Sequence, residues 1–427
     1  MRTPVAGLVL AVALVGCAED QPESAPEGID VDVLPRLTLQ EELRIGSLED
    51  PDYGFSRIRG VDVDQDGQVY VFERQDREIR VYSPDGRLIR RIGGAGEGPG
   101  EFQRDVRFGV VGDVVWAMDW VFGSPVRLTR FNRSGDVLSA RRVEGALIGR
   151  LGTLGAAFLA PAFVDAEGLF VSDFSPFIAF QLPGNPDSVR VPRVRFDDQG
   201  AIVDTVGWYT RLYSRPELTE TIDVGASEYI VRPPPLAEPL EIIVADGRIR
   251  IDRPLARTAT GGVFRVARLG FSDDTIYART FRYTPVPYQE EQLDRLAGAA
   301  ARPFAGPVLV LIAPGETRRV LRRQQDSAGA HAAIRRAMRY PEFQLPVTGA
   351  SHLGGDGSLW LRREDTGADT FRWIVLGVDG LPVGEVHLPR EGFSIAWTDS
   401  ETLWAIEPDQ LGVPWLVRYR ITGGSDR

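Results

Sequence analysis

The sequence predicts an all-β fold: a six-bladed β-propeller closed by its N-terminal strand, with a helical insertion between the fourth and fifth blades. Three observations carry that prediction. Short runs of alternating apolar residues, separated by Asp-Gly and Gly turns, fill the chain, the pattern of strands joined by tight hairpins. The runs group into four-strand units that recur along the chain, and recurrence at a fixed unit is the mark of a repeat architecture. The last unit is one strand short, and an unattached strand stands before the first.

The first unit, 58–93, reads IRGVDVDQDG, QVYVFERQ, DREIRVYSPDG and RLIRRIG. Its Asp66-Gly67 and Asp85-Gly86 pairs supply the positive φ values that tight hairpin turns need. A second unit spans 108–143, a third 163–207 with longer intervening sequence, a fourth 240–283, a fifth 347–388, and a sixth begins at Phe393. The run DTIYA, 274–278, also resembles a second strand such as GQVYV, and counting it so gives seven blades. Six is preferred, because VADGRIRI then fills the second-strand slot of the fourth unit and TIYARTFRY the fourth.

The missing strand is identifiable from spacing. Arg91-Ile92-Gly93 closes the first unit and is followed by eight residues and then Phe102; Arg44-Ile45-Gly46 is likewise followed by eight residues and then Phe55. Residues 37–46, LTLQEELRIG, therefore read as a fourth strand that completes the last unit. Closing the ring in this way leaves no exposed sheet end.

The runs DGQVYV (66–71), IRVYSPDG (79–86) and GGAGEGPGEF (93–102) resemble an NHL-type repeat, and the whole arrangement resembles the bacterial six-bladed β-propeller lipoproteins of the NHL-like and TolB-like superfamily. The match is closest in the first unit. That resemblance implies the ring fold and names no activity.

The N-terminus fits the same picture. Met1-Arg2 precedes an apolar run, 5–15, too short to span a bilayer and suited to the core of a secretory signal peptide. It ends in Leu14-Val15-Gly16-Cys17, which resembles a lipoprotein lipobox. The resemblance implies cleavage after residue 16 and acylation of Cys17, with Ala18 at the next position implying sorting to the outer membrane. Residues 18–35 hold six acids, no basic residue and three prolines, a composition that does not bury a core. The expected organisation is a signal peptide at 1–16, an acidic flexible tether at 17–36 and the propeller at 37–427, with the helical insertion at about 286–340. In that insertion, 288–301 places Leu293, Leu296, Ala297 and Ala300 on one helical face.

Composition narrows the function. The net charge is −11 and lysine is absent, so all 49 basic residues are arginine. An acidic chain is poorly suited to neutralising nucleic-acid phosphates. Without lysine there is no Schiff base and no Walker lysine, and one cysteine forms no internal disulfide.

Candidate chemical sites are few. Asp62, Asp64, Asp66, Gly67 and Glu73 match the calcium-loop pattern of an EF-hand, yet both flanks read as strands rather than helices, so turn formation is the preferred reading. His331, His352 and His387 have no metal-binding spacing. Ser351 sits in an incomplete nucleophile elbow, and the glycine-rich 93–100 segment fits neither dinucleotide nor P-loop patterns. The most unusual feature is a helical stretch, 316–339, carrying Arg318, Arg319, Arg322, Arg323, Arg335, Arg336 and Arg339 against only Glu316 and Asp326. Bidentate arginines suit an anionic partner; pairing with acidic blade edges is the alternative. The expected protein is a monomeric, lipid-anchored envelope module that binds a protein, peptide or glycan, without a cofactor. The alternative is a metal-assisted hydrolase or lyase with its site in the central channel, as in propeller lactonases.

Overall fold

The computed structural model describes residues 27–103, 105–119, 126–143, 159–164, 168–174, 188–197, 201–212, 220–224, 227–231, 239–244, 247–271, 273–301, 331–332, 334–336, 342–363 and 369–423. After β1 (Ile29–Asp30) and β2 (Thr38–Ile45) come six sheets arranged in a ring. Blade 1 is β3 (Ile58–Val63), β4 (Val69–Glu73), β5 (Glu78–Tyr82) and β6 (Leu88–Gly93). Blade 2 is β7 (Val106–Val111), β8 (Val114–Asp119), β9 (Val126–Asn132) and β10 (Val137–Val143). Blade 3 is β11 (Leu159–Val164), β12 (Phe170–Phe174), β13 (Ser188–Phe196) and β14 (Ile202–Leu212). A separate hairpin, β15 (Glu220–Val224) with β16 (Ser227–Val231), precedes blade 4. Blade 4 is β17 (Leu240–Val244), β18 (Gly247–Asp252), β19 (Gly262–Gly270) and β20 (Thr275–Tyr283); helix α1 (Glu290–Ala301) follows. Blade 5 is β21 (Ser351–Leu353), β22 (Leu359–Arg362), β23 (Thr370–Leu376) and β24 (Pro382–Pro389). Blade 6 is β25 (Ser394–Thr398), β26 (Thr402–Pro408) and β27 (Pro414–Thr422), completed by β2.

Six blades is therefore the count, and DTIYA lies in β20, the fourth strand of blade 4. The closure is as the spacing requires: β2 runs antiparallel to β27, from Thr38 opposite Thr422 to Ile45 opposite Leu416. The hairpin β15–β16 lies outside the six-unit reading.

The core lies between blades, which explains the sequence of the middle strands. In β4 every residue is buried. Successive side chains of a strand point to opposite faces, and here each face meets a different neighbour. Val69 and Val71 pack with Trp404 and Leu416 of blade 6. Tyr70 and Phe72 pack with Val115, Ala117 and Phe131 of blade 2. Blade 5 repeats the division: Leu359 and Leu361 face blade 4, whereas Trp360 faces blade 6. The spaced phenylalanines also seat between blades, Phe55 in the blade 6–blade 1 core and Phe102 in the blade 1–blade 2 core. At Gly93 the backbone is left-handed (φ 82°), and a Cβ there would collide with the Phe102 ring.

One boundary differs from the sequence expectation. The segment 29–36 is docked on the ring rather than forming part of a free tether. Ile29 and Asp30 add in parallel to β20 of blade 4. Val31 is buried in the core of blades 4 and 5. Asp32 pairs with the buried Arg363 at 2.7 Å and accepts the Thr284 N–H at 2.7 Å. Arg36 bridges to Glu385 of β24, and Leu37 N–H donates to the Glu385 carbonyl at 2.8 Å. Acidic composition hid this because the two acids are neutralised locally, Asp30 by Arg282 and Asp32 by Arg363. The chain thus straps blades 4 and 5 before completing blade 6.

Two stability predictions follow from closure. Ile45→Ala empties a site only 2 % exposed and is expected to cost about 2–5 kcal/mol in denaturant unfolding. A chain starting at residue 46 is expected to unfold at lower denaturant, with a 29–46 peptide restoring the midpoint when added in trans. An unchanged midpoint on truncation would contradict the closure.

Candidate functional site on the long-loop face

Strand direction divides the connections between two faces. Neighbouring strands within a blade are antiparallel, and the first strands of adjacent blades approach one another around the axis, as β25, β3, β7 and β11 do. Connections after first and third strands therefore share one face. They are tight: 64–68, 83–87, 112–113, 271–274, 354–358 and 377–381 are typical. Connections after second and fourth strands leave from the other end of the blades, and in sequence they hold nearly all the extra residues. They include 46–57, 94–105, 144–158, 175–187, 213–239 with its hairpin, and 284–350 with α1.

Buried charges shape this long-loop face. At the end of β4 the Glu73 carboxylate, 1 % exposed, accepts the N–H groups of Ser56 and Arg57 at 3.2 Å and of Gln75 at 3.0 Å. On β5 the buried Arg80 donates to the Gly54 carbonyl at 2.7 Å. Blade 2 repeats the device. Asp119 accepts the Gln103 N–H at 2.8 Å, and Arg127 donates to the carbonyls of Glu97, Gly98 and Glu101 and pairs with Asp119 at 3.0 Å. The glycine-rich 93–100 segment is thus a loop clasped by one guanidinium, whose fork of donors suits several carbonyls at once.

Between these two clamps lies a depression of about 510 Å³, lined by Ser56, Arg57, Arg74, Gln75, Arg77 and Gln103. Sequence reasoning did not single out any of these six. They come from three separate connections and have no periodicity; only ring curvature brings them together.

The opposite, tight-turn face holds the other acidic residues of the calcium-like pattern. Asp64 accepts the N–H groups of Asp66 and Gln68 at 2.9 Å and pairs with Arg133 at 3.0 Å. Asp66 also pairs with Arg133, at 2.5 Å. Asp62 accepts the Val63 and Val110 N–H groups at 2.9 and 2.8 Å. Glu73 is at the far end of β4. The four carboxylates are therefore split between two faces and engaged by protein donors. Among the described residues no group of three or more His, Cys, Asp or Glu is placed to hold a metal ion.

The histidines are dispersed. His352 sits in β21, and desolvation pushes its pKa down to about 4. His387 contacts Glu385 at 2.6 Å. His331 meets the carbonyl of Asp294 in α1 at 3.1 Å. Ser351 pairs across to Leu361 as an ordinary strand residue. Helix α1 covers 290–301 of the predicted 288–301 stretch, with Ala297 buried and Leu293 and Leu296 half-buried. Of the arginine-rich stretch, Arg335 pairs with Glu290 of α1 at 2.5 Å and Arg336 is described. Arg318, Arg319, Arg322, Arg323 and Arg339 lie outside the described residues, as does Cys17.

Asp62 provides a pH test. Desolvation pushes its carboxyl up to about 6, against the pull of the Val110 and Val63 N–H groups and the Trp397 indole; the charge on Asp64 adds to the rise. The native state then holds a proton that the unfolded chain releases near pH 4, so this residue favours folding at low pH and loses that contribution as pH rises toward 6. Asp62→Asn is expected to remove the effect. The stability difference, wild type minus variant, should fall by on the order of 2–3 kcal/mol between pH 4 and 7. A difference independent of pH would contradict this environment for Asp62.

No protein-family model and no curated protein matches the chain. Among solved structures it is similar to a Bacteroides fragilis protein described as exported, with 11% identity, TM-score 0.42, and 92% of this chain and 97% of that chain covered. It is also similar to virginiamycin B lyase from Staphylococcus aureus, at 13% identity and TM-score 0.37 over 90% of this chain and 100% of that one. A third is the PQQ-bound aldose sugar dehydrogenase from Streptomyces coelicolor, at 8% identity and TM-score 0.36 over 90% and 98%. No activity passes from these proteins to this chain.

Proposed function

We propose that this protein is a binding module of the bacterial cell envelope, held by a lipid on Cys17, that presents its long-loop face to a protein, peptide or glycan. The observation that carries this reading is the asymmetry of the ring. Among the described residues one face has only tight turns, and the connections that leave from the other hold nearly all the extra sequence. Loops on a rigid scaffold are where recognition is placed, because they vary without disturbing the core. The base is rigid for a physical reason: the middle strands are buried on both faces, so a blade does not shift without opening two cores. Arginines of the 316–339 stretch belong to the same connection, 284–350. Among the described residues no helix is long and apolar enough to cross a membrane, so the proposed attachment rests on the lipobox.

Two experiments test this reading. Cys17→Ser is expected to abolish incorporation of a clickable palmitate analogue and move the protein from the membrane to the soluble fraction; retained labelling would refute the anchor. Cys17 is the only cysteine, so single thiols can be placed in the Cys17→Ser background. Leu411 (76 % exposed, on the long-loop face) and Val378 (52 % exposed, on the tight-turn face) serve as sites. A bulky maleimide on Leu411→Cys is expected to reduce binding to purified envelope fractions, and the same group on Val378→Cys to leave it unchanged. The reverse pattern would overturn the choice of face.

A further inference from the structure

From the depression between blades 1 and 2 we infer that it binds an oxyanion carried on a small hydroxyl-rich ligand, the chemistry shared by a uronic acid and a sugar phosphate. This inference rests on the binding-module reading and gives it a ligand class. A volume of about 510 Å³ suits a small ligand.

Charge is the first argument. In a chain of net charge −11, this depression is lined by Arg57, Arg74 and Arg77 and, among the described residues, by no acid. The Arg57 guanidinium has no hydrogen-bond or ion-pair partner among the described residues. Among the described residues Arg74 is paired only with Asp105, at 2.5 Å, and both side chains are more than 40 % exposed. Such an exposed pair is weak and exchangeable, and Asp105 also meets Arg59 at 3.6 Å. Arg77 uses one nitrogen on the Gln103 carbonyl at 3.0 Å, leaving further donors of its fork. Guanidinium groups match carboxylate and phosphate oxygens in bidentate geometry. Ser56, Gln75 and Gln103 add a hydroxyl and two amides, which suit the hydroxyl groups of a sugar.

Preorganisation is the second argument. The backbone of the lining is fixed from below, while its arginine side chains keep donors to spare. Glu73 holds the N–H groups of Ser56, Arg57 and Gln75, and Asp119 holds that of Gln103. Arg77 adopts φ 56°, a left-handed conformation unusual for a side-chain-bearing residue. Strain of this kind persists where the surroundings over-determine it, and it clusters at ligand clamps. A lining fixed in advance lowers the ordering cost of binding.

The test is calorimetric titration of the full chain with four probes: galacturonate, glucose 1-phosphate, inorganic phosphate and neutral galactose. Galacturonate or glucose 1-phosphate is expected to bind at least tenfold more tightly than galactose, and which of the two is tighter identifies the source. Inorganic phosphate reports the oxyanion alone. Arg57→Ala is expected to weaken the preferred probe about tenfold or more, in line with the loss of a charge-assisted hydrogen bond, and Arg57→Lys to recover only part of it. Asp105→Asn releases Arg74 and Arg59 and is expected to tighten binding severalfold, a gain that misfolding does not imitate. Equal affinity for galacturonate, glucose 1-phosphate and galactose, or binding indifferent to Arg57→Ala and Asp105→Asn, would overturn the inference. If these probes fail while a label on Leu411→Cys still blocks envelope binding, the pocket assignment is wrong and the binding module stands.

Discussion

Pairing of β2 with β27 is the interaction on which the rest of the molecule depends. It joins residues 38–45 to 416–422 across nearly the whole chain and turns an open row of blades into a ring. An open row would expose two sheet faces, each with the burial demand of an interior strand. Closure gives every blade two neighbours, which is why strands such as β4 are apolar at almost every position instead of alternating with polar residues. The docked segment 29–36 reinforces the same junction, since it ties blades 4 and 5 to the strand that completes blade 6.

Rigidity in the ring allows irregularity on its face. The long connections do not fold on themselves alone; in blades 1 and 2 they are held by buried carboxylates and guanidiniums at the ends of inner strands. Glu73 with Arg80, and Asp119 with Arg127, are one device used twice. In blade 2 the two groups are also an ion pair, and removing either Asp119 or Arg127 strands a buried charge, which costs about 3–5 kcal/mol. The same device fixes the backbone beneath the arginine-lined depression.

Much of the fold was legible in the sequence. Asp-Gly turns marked the hairpins, and the eight-residue spacing between Arg-Ile-Gly and phenylalanine located both the repeat and its missing strand. The docked 29–36 segment was not legible, because its pairing is short, parallel and acidic, and carries no alternation. The β15–β16 hairpin was missed because it lies outside the repeating unit. Glu73 matches the last position of a calcium-like loop pattern in sequence, whereas strand geometry sends it to the opposite face from Asp64 and Asp66. The depression was invisible for a general reason: Ser56, Arg57, Arg74, Gln75, Arg77 and Gln103 are ordinary loop residues until ring curvature assembles them.

The central claim is that this ring has one working face. Hydrogen–deuterium exchange in the presence of a purified envelope glycan or protein fraction tests it most directly. The account predicts protection at 46–57, 74–77 and 94–105, with 64–68, 112–113 and 354–358 unchanged. Protection confined to the tight turns would contradict it.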